Sequence, residues 1–340
     1  MTTARGFFVR SEPLRLTQFS KKATNFEILR NLEICVLGEG VMTDQPTAAV
    51  IGLGSMGWGA AVSLLRAGIA THGVDLRAEV LEKFRAEGGS SFDRASDAVA
   101  DVDVVFIFVV NGQQAEDVLF GSGGAVASAR KGTVFVICVT MEPSRAIDLA
   151  ERLEAAGMLA LDAPVSGGSA KAQAGEMTIM ASGRAEAFDK AGSCLDAIAS
   201  KVYRLGDAAG KGSQVKMINQ LLAGVHIAAA AEALTLGAKI GLDLGMLHEV
   251  IQECAGNSWM FGNRGAHIVA GDYTPHSAVD IFVKDLGIVT GEAADHPVPL
   301  SQTALALFKE ASAAGMGRED DAAVAKLLAT KGGIKLPGMT

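Results

Sequence analysis

Four side chains able to trade protons or hydrogen bonds with a small molecule recur at helical spacing in one stretch: Lys216, Asn219, Gln220 and His226. The stretch, Gly212–Gly241, contains no proline, is mostly Ala, Leu, Ile and Val, and ends in glycine, so it reads as one long buried helix. At about 100° per residue, Asn219 lies about −60°, Gln220 about +40° and His226 about −80° from Lys216, which makes a single polar arc. Val215, Ile218, Leu221, Leu222 and Val225 take the rest of the circumference. A lysine on such an arc has two readings. One is an ammonium snorkelling to solvent at the helix start. The other is an amine that burial keeps partly neutral, able to take the proton of an alcohol.

The second reading needs a hydride acceptor, and the sequence supplies a place for one. Thr47–Ile51 is a short apolar run followed at once by Gly52-Leu53-Gly54-Ser55-Met56-Gly57, then a helix-like run to Gly68 and a second apolar run, Ala70–Val74, ending in Asp75. Strand, glycine turn, helix, strand, acid is the dinucleotide-binding fingerprint in context as well as in letters. Gly52 permits the tight turn, Gly54 lets backbone approach a pyrophosphate, and Gly57 lets helix pack on strand. The helix start then faces the phosphates with free N–H groups. Asp75 can accept from a ribose 2′-hydroxyl and would repel a 2′-phosphate, so NAD is expected rather than NADP, although Arg77 stands close enough to serve a phosphate.

These residues need a sheet to hold them. Helix Arg77–Glu87, strand Val102–Val110, helix Gln113–Phe120, strand Thr133–Val139, helix Pro143–Ala156 and strand Leu159–Asp162 continue the alternation. That order predicts an α/β domain with a mainly parallel sheet covered on both faces. The loops at the strands' carboxyl ends are Val110-Asn111-Gly112, Thr140-Met141-Glu142-Pro143 and Asp162-Ala163-Pro164-Val165-Ser166-Gly167-Gly168. The Ser-Gly-Gly run after a proline can turn successive N–H groups toward a carboxylate. Met177–Ala181 and Val202–Leu205 read as two more strands; from Gly206 to Leu328 only helical periods remain. The boundaries expected are an extension over residues 1–45, a dinucleotide-binding domain over 46–208, a helical domain over 209–330 entered through the long helix, and a mobile tail over 331–340. Trp259-Met260-Phe261 reads as core packing rather than as the wall of a pocket.

The 340 residues, 40 of them glycine, carry a net charge of −8 and offer no basic patch, which argues against nucleic acid and anionic membrane as partners. Lys216, Asn219, Gln220, His226, Glu232 and Lys239 make it costly for the long helix to span a bilayer. Cys35, Cys138, Cys194 and Cys254 show no paired spacing and the six histidines no ligand spacing, so neither disulfides nor a metal is expected and a reducing cytoplasm fits. Residues 1–45 are basic but hold Glu12, Glu27, Glu33 and Glu39, which counts against a transit peptide. Gly38-Glu39-Gly40 would be encoded by a purine-rich run resembling a ribosome-binding site, so the natural start is expected at Met42.

Gly-Leu-Gly-Ser-Met-Gly at 52–57, Asp-Ala-Pro-Val-Ser-Gly-Gly at 162–168, Gly-Ser-Gln-Val-Lys-Met-Ile-Asn-Gln at 212–220 and Lys-Asp-Leu at 284–286 together resemble the β-hydroxyacid dehydrogenases, the family acting on 3-hydroxyisobutyrate and tartronate semialdehyde. The resemblance spans about residues 47–330. It implies an N-terminal Rossmann domain, an all-α C-terminal domain joined to it by the long interdomain helix, a homodimer or homotetramer, and a small hydroxy acid as substrate. It implies Lys216 as the catalytic base, and contacts to cofactor from Gly52, Leu53, Gly54, Ser55, Met56, Gly57, Asp75, Thr140 and Lys284. It gives substrate contacts to Ser166, Gly167 and Gly168, and to Asn219 or Gln220, since the family often has asparagine where Gln220 stands. The runs Asn219–His226, Asn257–Phe261 and Ala270–Pro275 look most like a branch acting on four-carbon sugar acids. The expectation is therefore L-threonate oxidised at C2 to 2-dehydro-L-erythronate. 3-Hydroxyisobutyrate or tartronate semialdehyde are the alternatives within the family, and a non-catalytic nucleotide-binding sensor module is the alternative outside it.

Overall fold

A computed structural model of the chain describes residues 45–339. The expectations of an extension over residues 1–45 and of a start at Met42 fall, apart from Gln45, outside the described residues. In chain order the elements are β1 (Ala48–Ile51), α1 (Ser55–Arg66), β2 (Thr71–Val74), α2 (Ala78–Ala86), β3 (Ser90–Phe92), α3 (Ala95–Ala98), β4 (Val104–Ile107), α4 (Gly112–Phe120), β5 (Val134–Ile137), α5 (Pro143–Ala155), β6 (Leu159–Asp162), β7 (Val165–Ser166), α6 (Gly168–Ala174), β8 (Met177–Gly183), α7 (Ala185–Ile198) and β9 (Ala199–Arg204). There follow α8 (Lys211–Lys239), α9 (Leu244–Gln252), α10 (Trp259–Ala270), α11 (Val279–Glu292), α12 (Pro299–Ala311) and α13 (Val324–Gly332).

The sheet runs β3-β2-β1-β4-β5-β6-β8-β7, with β9 on β8. Pairings from β3 to β6 are parallel, β6–β8 and β7–β8 antiparallel, and β8–β9 parallel again. The first six strands follow the order of a doubly wound Rossmann sheet, with its switch between β1 and β4. Strand residues alternate between two cores: Val50, Phe106 and Val136 face α1 and α7, whereas Ile51, Ile107 and Phe135 face α4 and α5. Burial on both faces explains why these strands are unbroken apolar runs. β6 has the expected bounds, β1 and β2 start one residue later than expected, and β4 and β5 are shorter than the apolar runs that announced them, which continue into the loops at their carboxyl ends. β3, β7 and α6 are short and have no strong pattern of their own, whereas α7, unassigned in the sequence, buries Phe188, Ala191, Leu195 and Ile198 at helical spacing.

Past β9 no further strand occurs among the described residues. The helical part packs around α8, whose Ile227, Ala231 and Leu234 meet Phe261 and Ile268 of α10, Phe282 and Leu286 of α11, and Phe308 of α12. Arg264 of α10 donates to the buried Asp321 at 3.2 Å, and His267 lies 3.0 Å from Asp320, which ties α10 to the segment before α13.

Three readings need correction. α8 is half buried rather than buried, and one of its apolar stripes is turned outward: Val215, Ile218, Leu222 and Leu236 are exposed while Lys216 and Gln220 are buried. It is the one described helix long and apolar enough to cross a bilayer, and it is also the core of the helical part. Trp259 is 66% exposed, and only Phe261 of that cluster is buried. The segment after Gly333 is seated rather than loose: Leu336 is 3% exposed and Gly338 abuts the backbone of Gly271.

Candidate active site

The glycine turn sits where β1 and β4 part. Gly52 has φ +94°, and a Cβ there would stand 2.3 Å from the Phe108 carbonyl oxygen. A Cβ on Gly57 would stand 1.9 Å from the Gly52 oxygen. These two glycines are required by the fold itself. Gly54 has open space around its Cβ position, so its smallness serves whatever approaches from outside. α1 begins at Ser55 with no side chain capping it, which leaves the N–H groups of its first turn without a side-chain partner. The residues therefore fit a dinucleotide pyrophosphate, held by backbone N–H groups at a helix start.

Asp75, at the end of β2, holds this turn from below. Its Oδ2 accepts from Leu53 N–H at 2.9 Å and from Arg77 Nη2 at 3.0 Å, and its Oδ1 from Arg77 N–H at 3.0 Å and Nε at 2.9 Å. Burial works against the charged form, but the hydrogen bonds from Arg77 and Leu53 outweigh it and hold the carboxyl below the usual range. All four acceptor directions of the carboxylate are taken.

The second half of the site is built on the start of α8. Asp162, the last residue of β6, receives Gly210 N–H and Ser213 N–H at 2.9 Å each on Oδ2, and Ser213 Oγ at 2.7 Å on Oδ1. Ser182 Oγ adds a bond at 3.3 Å and itself accepts from Gly212 N–H at 3.0 Å. Burial pushes the Asp162 carboxyl up against the pull of these donors. Gly212 lies so close to the sheet that a Cβ would meet the Asp162 carbonyl oxygen at 2.5 Å. The helix start is thus fixed to the strand ends, and Lys216 follows one turn later.

Lys216 is 8% exposed. Its ammonium is lowered from the usual lysine value to about 8, first by burial; Lys284 pushes the same way and Asp285 opposes. Lys284 donates to the Thr140 carbonyl at 3.1 Å and lies 2.6 Å from Asp285 Oδ1, an ion-pair contact rather than a directed hydrogen bond. Asp285 Oδ2 accepts from Gln220 Nε2, and Gln220 Oε1 accepts from Asn219 Nδ2 at 2.9 Å. The approach of α11 to α8 depends on Gly224, where a Cβ would stand 2.9 Å from the Leu286 methyls. A chain of contacts results, Asn219, Gln220, Asp285, Lys284, Thr140, in which the Asp285–Lys284 link is an ion pair and the others are hydrogen bonds. Thr140 and Lys284 open onto a cleft of about 140 Å³ together with Asn111, Gly112, Gln113 and Glu142.

Ser166, Gly167 and Gly168 form the turn from β7 into α6, with φ +134° at Gly167 and +69° at Gly168. No hydrogen bond joins them to the lysine cluster. Their fixed point is instead α1: Gly59 is close enough that a Cβ would stand 2.4 Å from the Ala172 carbonyl carbon, Ser63 Oγ donates to Ala172 O at 3.4 Å, and Arg66 Nη1 donates to Gln173 O at 2.6 Å. The expected residues accordingly fall into a nucleotide cradle, a lysine cluster and a glycine turn clamped to the cradle's own helix. Asp162 and Asp285 were given no part by the sequence reading, although each stands inside a quoted motif.

Comparison with known proteins agrees with this layout. The family described as the NAD binding domain of 6-phosphogluconate dehydrogenase matches residues 47–206, and that described as NAD-binding of NADP-dependent 3-hydroxyisobutyrate dehydrogenase matches residues 210–328. L-threonate dehydrogenase of Cupriavidus necator is 55% identical over 291 residues, 85% of this chain and 97% of the relative. 3-Hydroxyisobutyrate dehydrogenase of Pseudomonas aeruginosa is 32% identical, over 78% of this chain and 91% of its own length. A crystal structure of a 3-hydroxyisobutyrate dehydrogenase from Salmonella typhimurium superposes with a TM-score of 0.80 at 49% identity, covering 83% of this chain and all of that one. With both halves matched in order and relatives covered nearly end to end, the chain belongs to the 3-hydroxyisobutyrate dehydrogenase-like family of NAD-binding hydroxyacid dehydrogenases.

Proposed function

We propose that the protein oxidises a small hydroxy acid with NAD, that L-threonate is the acid, and that C2 is the carbon oxidised. The observation that carries the chemistry is the buried Lys216, lowered to about 8 beside Lys284, which itself donates to the Thr140 carbonyl after β5. The substrate assignment rests on relatives named L-threonate dehydrogenase at 49 to 55% identity.

When bound, the nicotinamide supplies the hydride acceptor. The chain's own residues do the rest. Gly52, Gly54 and the N–H groups of Ser55, Met56 and Gly57 hold the pyrophosphate, with Leu53 anchored to Asp75. Asp75 favours NAD through its charge, and Arg77 leaves its carboxylate when the ribose hydroxyls arrive. Ser166, Gly167 and Gly168 offer N–H groups to the substrate carboxylate, which fixes the carbinol carbon in position. Neutral Lys216 then takes the hydroxyl proton as the carbon–hydrogen bond breaks; in the reverse direction its ammonium returns that proton. Gln220 has both ends of its amide engaged, so Asn219, which keeps its carbonyl oxygen and one N–H without a partner among the described residues, is the amide that meets a second substrate hydroxyl.

The outward apolar stripe of α8 supports a homo-oligomer, a dimer or tetramer that covers it.

Lys216→Ala should lower turnover of L-threonate at least 10³-fold, an order-of-magnitude expectation for loss of a general base, while NAD binding measured by fluorescence titration stays within a few-fold. Retained turnover would remove the lysine from the chemistry. Rates with L-threonate, 3-hydroxyisobutyrate and tartronate semialdehyde, each with its matching nicotinamide form, test the substrate; a preference for a three-carbon or branched acid overturns L-threonate.

A further inference from the structure

Asp285 is a buried carboxylate, 2% exposed, in the middle of α11. It caps no helix and joins no strand. Its two oxygens meet two groups only, the Gln220 amide of α8 and the Lys284 ammonium one residue before it, and both belong to the proposed site. A carboxylate removed from water costs several kcal/mol unless its partners are well placed, so its presence needs a use. The fold alone does not require it: Leu286 against Gly224 already holds α11 to α8 by apolar contact.

We propose that Asp285 is the positioning residue of this site: its two oxygens hold the Gln220 amide and the Lys284 ammonium in one bridge, and that bridge fixes where Asn219 stands toward the substrate. The two charges of the bridge act on Lys216. The inference rests on the reading of Lys216 as the base. Along the bridge each member has its place set by the next. Thr140 O holds Lys284, Lys284 and Gln220 share Asp285, and Gln220 in turn holds Asn219. Ordering of this kind is worth most where a substrate hydroxyl must meet an amide and an amine at once.

The bridge also balances charge around the amine. On α11, Lys284 and Asp285 act on Lys216 in opposite senses, the first disfavouring its ammonium and the second favouring it. Asp162, the charged group on β6 near the start of α8, is committed to the helix N-terminus through Ser213 and Gly210. Removing the Asp285 charge leaves Lys284 unopposed, so the neutral form of Lys216 should persist to lower pH.

The test uses the full-length enzyme and initial rates of hydroxy acid oxidation across pH values on either side of 8. In Asp285→Asn the acid limb of kcat/KM should move down by about one pH unit, the scale of one nearby opposite charge. KM for the acid should rise about tenfold, the scale of one charge-assisted hydrogen bond. Asp285→Glu keeps the charge but displaces it, so the limb should stay while KM rises. A carboxylate that merely supported packing would lower the melting temperature and leave the limb in place in both variants, and that result overturns the proposal. If Asp285→Asn does not fold, Gln220→Leu breaks the bridge from α8: raised KM with an unmoved limb supports the proposal, and unchanged KM overturns it. Failure of the parent reading looks different, since Lys216→Ala would then keep its turnover and the unaltered enzyme would show no limb near 8.

Discussion

An amine becomes useful to an alcohol only when it is uncharged, and at Lys216 burial supplies most of that effect. With the group near 8, kcat/KM for oxidation should rise with pH and level off above 8, because the base form is the competent one. The reverse reduction needs the ammonium, so its rate should fall through the same pH. A single pH series run in both directions checks this, and parallel rather than opposed limbs would contradict it. At the other end of the site Arg77 is latched to Asp75 by three hydrogen bonds. Asp75→Asn removes the charge that holds it and the charge that would repel a 2′-phosphate. The ratio of kcat/KM for NADP over NAD should then increase about tenfold or more, since a hydrogen bond to a charged group is worth about 1.5–3 kcal/mol. Steady-state kinetics with both cofactors measures the ratio.

The start of α8 is set by one carboxylate rather than by a residue of its own. Asp162 reaches it from β6 and satisfies the N–H groups of Gly210 and Ser213. Asp162→Ala should cost about 2–4 kcal/mol of stability, since it strands buried donors at a helix end. Urea or thermal unfolding checks this, and a loss below 1 kcal/mol, about the value for an exposed cap, would mean that water replaces the carboxylate. The same elements show what the sequence could and could not reveal. The glycine fingerprint was legible because its causes are local: Gly52 and Gly57 constrain each other within six residues, and the strand and helix on either side carry their own periods. Lys216 was legible as an oddity of pattern on a long apolar helix. Asp162 and Asp285 were not, because their partners lie 48 and 65 residues away and no local period marks a carboxylate that will meet them. The sequence left the facing of the polar arc of α8 between two readings for a related reason. Periodicity finds the polar arc, but only packing decides whether that arc turns inward to a site or outward to water.

At the scale of the whole molecule the outward apolar stripe of α8 has a consequence. Val215, Ile218, Leu222 and Leu236 lie within about 60° of one another on the helical wheel, so the outward stripe is continuous over most of α8. Leu222, 50% exposed, stands near its middle. The proposed self-association should therefore weaken in Leu222→Lys, seen by light scattering as a shift to the smaller species. A monomer in the unaltered protein would remove the basis of that proposal.

The clamp between α1 and α6 bears on how such an enzyme changes its diet. If the Ser166–Gly168 turn takes the acid group as proposed, the packing of α1 on Ala172 and Gln173 ties that turn to the dinucleotide cradle, and the spacing between them is set within the chain. Discrimination among acids then falls to the amide and ammonium groups on two other helices. Replacements there can retune which molecule is accepted while the hydride's path across the gap keeps its length.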